Sequence, residues 1–255
     1  MAYAPNDNFE SDIIAGRNAV AEVVRSGREI EYIMVAKGAG GSLLPIIAQC
    51  RQMGLTVKEM PRNKLDLKLP GVNHQGIAAV VSSAEYSTVE DIIERANDLE
   101  NKAILVLDEI ADPHNLGAII RTAEAAGIAG IIIPKRRSAG LNSTVAKVAV
   151  GAVEYVPVAR VANIASTLEK LKEHGYWVYG ADMDGEDIYQ TDMSGKSAIV
   201  IGSEGFGISR LVKEKCDVIV KIPMFGKINS LNASVAAGIM VYETVRRICE
   251  KKRKE

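Results

Sequence analysis

Ala198-Ile-Val-Ile-Gly-Ser-Glu-Gly-Phe-Gly-Ile-Ser209 is the stretch from which the fold is read. Four consecutive apolar residues, Ala198 to Ile201, lack the alternation of a strand with one wet face, so they predict a strand buried on both sides. The polar, glycine-rich run that follows breaks the strand, and Ser209 opens a helix predicted to reach Lys215. The same order of strand, polar loop and helix recurs on either side. Upstream, Ile104 to Leu107 leads into Asp108-Glu-Ile-Ala-Asp-Pro-His-Asn-Leu-Gly117 and a helix over Leu116 to Ala126. Downstream, Val218 to Ile222 leads into Pro223-Met-Phe-Gly-Lys-Ile-Asn-Ser-Leu-Asn-Ala-Ser234 and a helix over Asn232 to Ile248. Gly130 to Ile133 and Tyr176 to Gly180 supply further strands, and Thr144 to Val150 and Ile164 to His174 further helices. Strands alternating with helices predict an α/β fold, a parallel sheet covered on both faces, with ligands beyond the carboxyl ends of the strands.

A smaller α/β block precedes this one. Its elements are a helix over Ile14 to Val24 stopped at Gly27, a strand at Tyr32 to Val35, a turn at Gly38 to Gly41, a helix over Leu43 to Met53, and strands at Leu55 to Val57 and Ile77 to Val81. The reading divides the chain into an N-terminal domain over 1–83, a polar connector over 84–102 and a larger domain over 103–255. Within the connector, Thr88-Val-Glu-Asp91 has the spacing of a capping box and predicts a helix start.

Composition narrows the function. Lys and Arg number 31 against 32 Asp and Glu, a net charge of −1, which excludes a protein that coats nucleic acid by bulk charge. Basic surface must be local, and Lys135, Arg136, Arg137 and Lys147 lie in a stretch, Ala125 to Val153, without Asp or Glu. The C-terminal Arg246-Arg247 and Lys251-Lys-Arg-Lys254 form a second cluster. Cys50, Cys216 and Cys249 are too scattered for a disulfide framework or a metal knuckle. His74, His114 and His174 are equally dispersed, so no metal is expected. The opening MAYAPNDNFESD lacks the pattern of a secretory signal and no apolar run is long enough to span a bilayer. The expected compartment is the cytoplasm, with no membrane partner.

Each polar loop alone is ordinary turn chemistry. Asn115 suits a helix cap, the Gly202 loop suits strand-to-helix packing, and GxxGxG is not the GxGxxG dinucleotide fingerprint. Three such loops at one end of a parallel sheet, however, would converge on one crevice. Asn115-x-Gly117-x-x-x-Arg121, Ile201-Gly-Ser-Glu-Gly205, and Ile222-Pro-Met-x-Gly226 with Ser230-Leu-Asn-x-Ser-x-Ala236 resemble the three ordered motifs of the SpoU (TrmH-type) RNA ribose methyltransferases. Gly16-Arg-Asn-Ala-Val20 and His74-Gln-Gly76 resemble that family's substrate-binding domain. Arg136-Arg-Ser-Ala139, Leu141-Asn142 and Val148 to Glu154 resemble its RlmB branch, which methylates a guanosine ribose of large-subunit ribosomal RNA.

The resemblance implies a SPOUT-type sheet with a trefoil knot, a homodimer, and S-adenosylmethionine held bent between the second and third loops. Gly202 and Gly205 would let the backbone approach the cofactor, where a Cβ would collide with it. Ile222 and Leu231 would line the adenine slot, and Asn232 would also contact the cofactor. The reaction implied is methyl transfer to a ribose 2′-hydroxyl, a weak nucleophile until its proton is removed or its alkoxide stabilised. The resemblance nominates Arg121 for this step, as a base or, since guanidinium pKa values exceed about 12, as a cation holding a phosphate and the alkoxide. Asn115 would hold Arg121 or the ribose, Glu204 would orient Arg121, and Ser230 and Asn232 would add short polar contacts. Without the motifs, Arg121 would be an exposed charge paired with Glu124, and Glu204 a solvated carboxylate. Arg17 with Lys135, Arg136 and Arg137 would contact ribosomal RNA. The alternatives are a transfer-RNA or resistance-type ribosomal-RNA methyltransferase, a non-catalytic ribosome-assembly factor, and a nucleotide-dependent oxidoreductase.

Overall fold

The computed structural model describes residues 12–227 and 230–253. The N-terminal stretch through Ser11, Ile228 and Asn229 of the third loop, and Lys254 of the basic tail lie outside the described residues. The chain forms two compact units, one running to Glu85 with Gly140–Ser143, the other comprising Tyr86–Ala139 and Thr144–Glu255.

The first unit is built on β1 (Ile13–Ala15), α1 (Arg17–Ser26), β2 (Ile30–Ala36), α2 (Leu44–Gln52), β3 (Val57–Met60), α3 (Arg62–Lys68) and β4 (Ile77–Val81). The sheet order is β1-β4-β2-β3, with β2 and β3 parallel and β4 antiparallel to both β1 and β2. Ile14, read as the start of a helix, lies in β1 opposite Ala79. The helix begins only after Gly16, whose φ of 100° ends the strand. Leu55 precedes β3, and α3 was not anticipated because Leu65 is its only buried residue and gives no helical stripe. Val20, Val24, Ile33, Ile47, Cys50 and Ile77 share one apolar core.

The second unit contains α4 (Val89–Asp98), β5 (Ile104–Leu107), α5 (Pro113–Ala125), β6 (Gly130–Pro134), α6 (Ser143–Ala149), β7 (Val158–Val161), α7 (Ile164–Glu173), β8 (Trp177–Asp187), β9 (Ser197–Ile201), α8 (Arg210–Lys213), β10 (Val218–Lys221) and α9 (Ala233–Lys252). Its six strands lie in the order β10-β8-β9-β5-β6-β7, all parallel. Every residue of β9 and β5 is buried, as their continuous apolar runs require. β7 was missed: it is an edge strand, and Arg160 with half-buried Val161 interrupts its apolar signal. β8 runs past Gly180 into charged Glu186 and Asp187, which pair with Val220 and Lys221 of β10 after a register shift.

The capping box at α4 forms, with the Thr88 hydroxyl accepting from Asp91 N and the Asp91 carboxylate from Thr88 N. Val89, Ile92, Ile93 and Ala96 of this helix, in the stretch read as a connector, join the core formed by Ile104, Val106, Leu168, Val178 and Val200. The opposite face is covered by α5 and α9, which pack on one another. Among the described residues no helix is long and apolar enough to cross a membrane.

Candidate active site

β5 and β9 are neighbours at the centre of the sheet. The chain leaves β5 towards β6 and β7 on one side, whereas β8 and β10 lie beyond β9 on the other. A crevice opens at such a switch point, beyond the carboxyl ends of the strands. The loops after β5 and β9 emerge there, and the loop after β10 returns to the same place.

Asp112, not Asn115, caps α5, its carboxylate accepting from His114 N at 2.9 Å. Asn115 is thereby free to turn inward, and only 7% of it is exposed. Its Nδ2 donates to Glu204 Oε1 at 3.0 Å, and its Oδ1 accepts from Asn232 Nδ2 at 2.9 Å. Asn232 Nδ2 also donates to Glu204 Oε1 at 2.5 Å, and Ala233 N reaches the same oxygen at 3.3 Å. The Oδ1 of Asn232 caps α9, accepting from Ser234 N and Val235 N. One residue from each motif therefore closes a ring of hydrogen bonds. Glu204 Oε1 takes three donors, and Oε2 takes none among the described residues.

Glu204 sits in a tight turn closed by Ser203 N to Gly207 O at 3.1 Å and Gly207 N to Ser203 O at 2.8 Å. This turn places its own demand on Gly202. A Cβ at Gly202 would strike the backbone of Gly207 and Ile208, so its absence is required by the protein's own chain. Gly205 differs, because a Cβ there would meet nothing within 4 Å. Ile222 and Leu231 are half-buried and Ser230 is exposed. Ser230 makes no hydrogen bond among the described residues, so it stands outside the ring.

Arg121 is likewise outside it. Six positions along α5 displace Arg121 from Asn115 by about 9 Å and about 120° around the helix. Its side chain is exposed and pairs with neither Glu204 nor Glu124 among the described residues. Among the described residues Asn115 and Glu204 contact each other and Asn232, and neither contacts Arg121 as expected.

Asp108 was overlooked. Only 4% exposed, it accepts from Ser209 N at 2.7 Å and so ties the end of β5 to the end of the Gly202 loop. An Asp directly after a buried apolar run was its signal. The basic segment also changes. Arg137 Nη1 pairs with Glu109 Oε1 at 2.7 Å, so an acidic residue does stand beside it, brought from the β5 loop. Lys135 and Arg136 are exposed and have no such partner among the described residues. His74 is a structural residue: its Nδ1 accepts from Gly76 N at 3.0 Å, which puts the proton on Nε2, 2.7 Å from Asp66 Oδ1. His114 is exposed. Among the described residues no group of three or more His, Cys, Asp or Glu is placed to hold a metal ion.

Residues 102–242 match the model of the SpoU rRNA methylase family, and residues 13–87 that of the RNA 2′-O ribose methyltransferase substrate-binding domain. The chain belongs to the SpoU methylase family. A Bacillus subtilis protein, YacO, named for the TrmH family of tRNA/rRNA methyltransferases, is 47% identical over 241 residues, covering 93% of this chain and 96% of its own. A Staphylococcus haemolyticus protein named for the same family is 48% identical over 243 residues, covering 94% and 97%. Among solved structures, an rRNA methyltransferase from Sinorhizobium meliloti with S-adenosylmethionine bound superposes with a TM-score of 0.57 at 25% identity, covering 92% of this chain and 87% of its own. This SpoU chain is thus an RNA methyltransferase in its family, with the six-stranded parallel sheet of such structures.

Proposed function

We propose that the protein transfers a methyl group from S-adenosylmethionine to a ribose 2′-hydroxyl of ribosomal RNA, at a guanosine of the large subunit as in the RlmB branch. The observation that carries this reading is the ring of Asn115, Glu204 and Asn232, one residue from each motif, at the carboxyl ends of β5, β9 and β10. A second reading, a transfer-RNA ribose, is favoured by relatives whose names join tRNA and rRNA. The assembly proposed is a cytoplasmic homodimer, its third loop threaded as a trefoil knot.

The residues present suit the cofactor. Gly205 leaves open space beside Glu204, half-buried Ile222 and Leu231 offer apolar surface for adenine, and the unused Glu204 oxygen suits a cationic ligand. S-adenosylmethionine, when bound, supplies an electrophilic methyl group on a sulfonium. Gly205, Ile222, Leu231 and Asn232 would hold it, with Gly202 shaping the turn. Asn115 keeps Glu204 and Asn232 in register rather than touching the reacting atoms. Arg121, exposed and without a carboxylate beside it among the described residues, serves as a fixed cation for the target phosphate and the developing alkoxide. Ser230 stays available to the ribose. Arg17, Lys135 and Arg136 contact RNA phosphates, with Arg137 shared with Glu109.

Calorimetry with S-adenosylmethionine against NAD separates this reading from an oxidoreductase. Mapping ribose methylation in RNA from a deletion strain identifies the nucleotide, and loss of one large-subunit guanosine methylation is the expected result. Arg121→Ala is expected to keep cofactor affinity and lower transfer by about 10²–10³-fold, the cost of removing one charge-stabilising donor. Near-normal turnover by this variant would overturn the role given to Arg121, and retained activity in Arg121→Lys would mark a simple cation.

A further inference from the structure

The first unit holds a cavity of about 430 Å³ that the methyl-transfer chemistry does not use. Its position follows from the sheet. β1, β2 and β3 run in one direction and β4 against them. The segments after Ala15, Ala36 and Met60 and the segment before Ile77 therefore meet at one edge. They bring Arg17, Lys37, Arg62 and Gln75 around the cavity, with Gly38, Gly40 and Ser42. This is the carboxyl edge of an open α/β sheet, where ligands bind, and the volume lies within the range of small-ligand sites, about 300–1,000 Å³.

The lining is all donors where it is charged. No carboxylate lines the cavity, and Arg17, Lys37 and Arg62 form no ion pair among the described residues. Arg17 is held in place by its Nη1, which donates to Ser42 Oγ at 2.6 Å. Gln75 is held at a φ of 51°, a left-handed conformation that costs a non-glycine residue free energy and persists only where its surroundings impose it. Buried His74 imposes it, bound to Asp66 and Gly76 on either side. The Gln75 Oε1 accepts from Arg17 N at 3.1 Å, which leaves its amide N–H groups for the cavity.

We propose that this cavity binds one unpaired nucleotide of the RNA substrate, its phosphate on Arg17, Lys37 and Arg62 and a base acceptor on Gln75. Three cations without an ion pair call for phosphate, and an amide in the same lining, its oxygen already taken by Arg17 N, calls for a base edge. RNA read in this way is single-stranded, because only a splayed nucleotide can enter a cavity. The inference rests on the reading of RNA as substrate.

The test uses the full-length protein, isotope-labelled, with amide resonances followed by NMR. Nucleoside 5′-monophosphates are expected to shift the amides of Gly38, Gly40 and Gly76 saturably, nucleosides much less. In Lys37→Gln/Arg62→Gln, both exposed positions, the shifts should vanish while the melting temperature is kept, and Lys37→Arg/Arg62→Lys should retain them. The same Gln variant should weaken binding of a short single-stranded RNA about tenfold and lower the logarithmic salt slope by about 0.7 per lost contact. Unmoved amides, or inorganic phosphate matching the monophosphates in affinity, would overturn the nucleotide site even if RNA still bound. RNA failing to bind while monophosphates still shift these amides would sustain the site and remove the RNA-substrate reading instead.

Discussion

Asn232 and Asn115, 117 positions apart in the chain, meet amide to amide, Asn232 Nδ2 donating to Asn115 Oδ1 at 2.9 Å. The contact welds the start of α9 to the start of α5, and both amides lean on Glu204. Asn232 therefore serves two ends at once: its oxygen caps a helix and its nitrogen closes the ring.

Asn232→Asp separates those tasks. Aspartate caps a helix as well as asparagine, but here its second oxygen would face Glu204 Oε1 across a hydrogen-bond distance. Two carboxylates sharing one site raise the pKa of one of them above its unfolded value. The variant is expected to lose about 1–3 kcal/mol at pH 7. Because protonation relieves the repulsion, the deficit should shrink as pH falls through the raised pKa. Urea melts of both proteins from pH 7 to pH 4 check this; a deficit independent of pH would show that charge is not the cause.

Gly202→Ala and Gly205→Ala should differ in kind. At Gly202 the new methyl meets backbone, which cannot swing aside, so a loss of about 3 kcal/mol or more is expected, at the upper end of what overpacking costs. At Gly205 the space is open, and the expected change in stability is within about 0.5 kcal/mol. Its effect should fall on S-adenosylmethionine affinity, read by calorimetry.

The salt dependence of RNA binding should distinguish the three basic neighbours. Lys135→Gln and Arg136→Gln are each expected to reduce the logarithmic slope by about 0.7–0.9, according to whether the RNA is single-stranded or duplex. Arg137→Gln should do less, since Glu109 already neutralises that charge in the free protein. Affinities measured across potassium chloride concentrations decide it, and equal slopes for all three would show that the ion pair opens on binding.

A fragment beginning at Ala103 lacks α4 and with it Val89, Ile92, Ile93 and Ala96 of the core. Each of the three larger side chains contributes about 1.5–3 kcal/mol by burial, which together rivals the whole stability of a domain, about 5–15 kcal/mol. That fragment should not melt cooperatively, whereas one beginning at Tyr86 should. Calorimetric melting of the two fragments is the measurement.

The strands β5, β6 and β9, the helices that follow them and the motif residues were legible from the chain alone. Apolar runs, glycine breaks and caps act over a few residues, and spacing reports them directly. The α4 capping box belongs to the same class, being closed between residues three apart. What the chain order could not report lies in contacts between distant segments. Glu204 faces Asn115 and Asn232 rather than Arg121, Gly202 is excluded from carrying a Cβ by Gly207, and Arg137 finds Glu109. The edge strand β7 is set by its neighbour β6, because an edge strand, met on its far side only by a bridge from Ser87, needs no continuous apolar run. Residue types and local spacing determined which groups the site contains; the crossover paths between parallel strands decided which of them touch, because hydrogen bonds over so long a separation exist only once the sheet has brought the loop ends together.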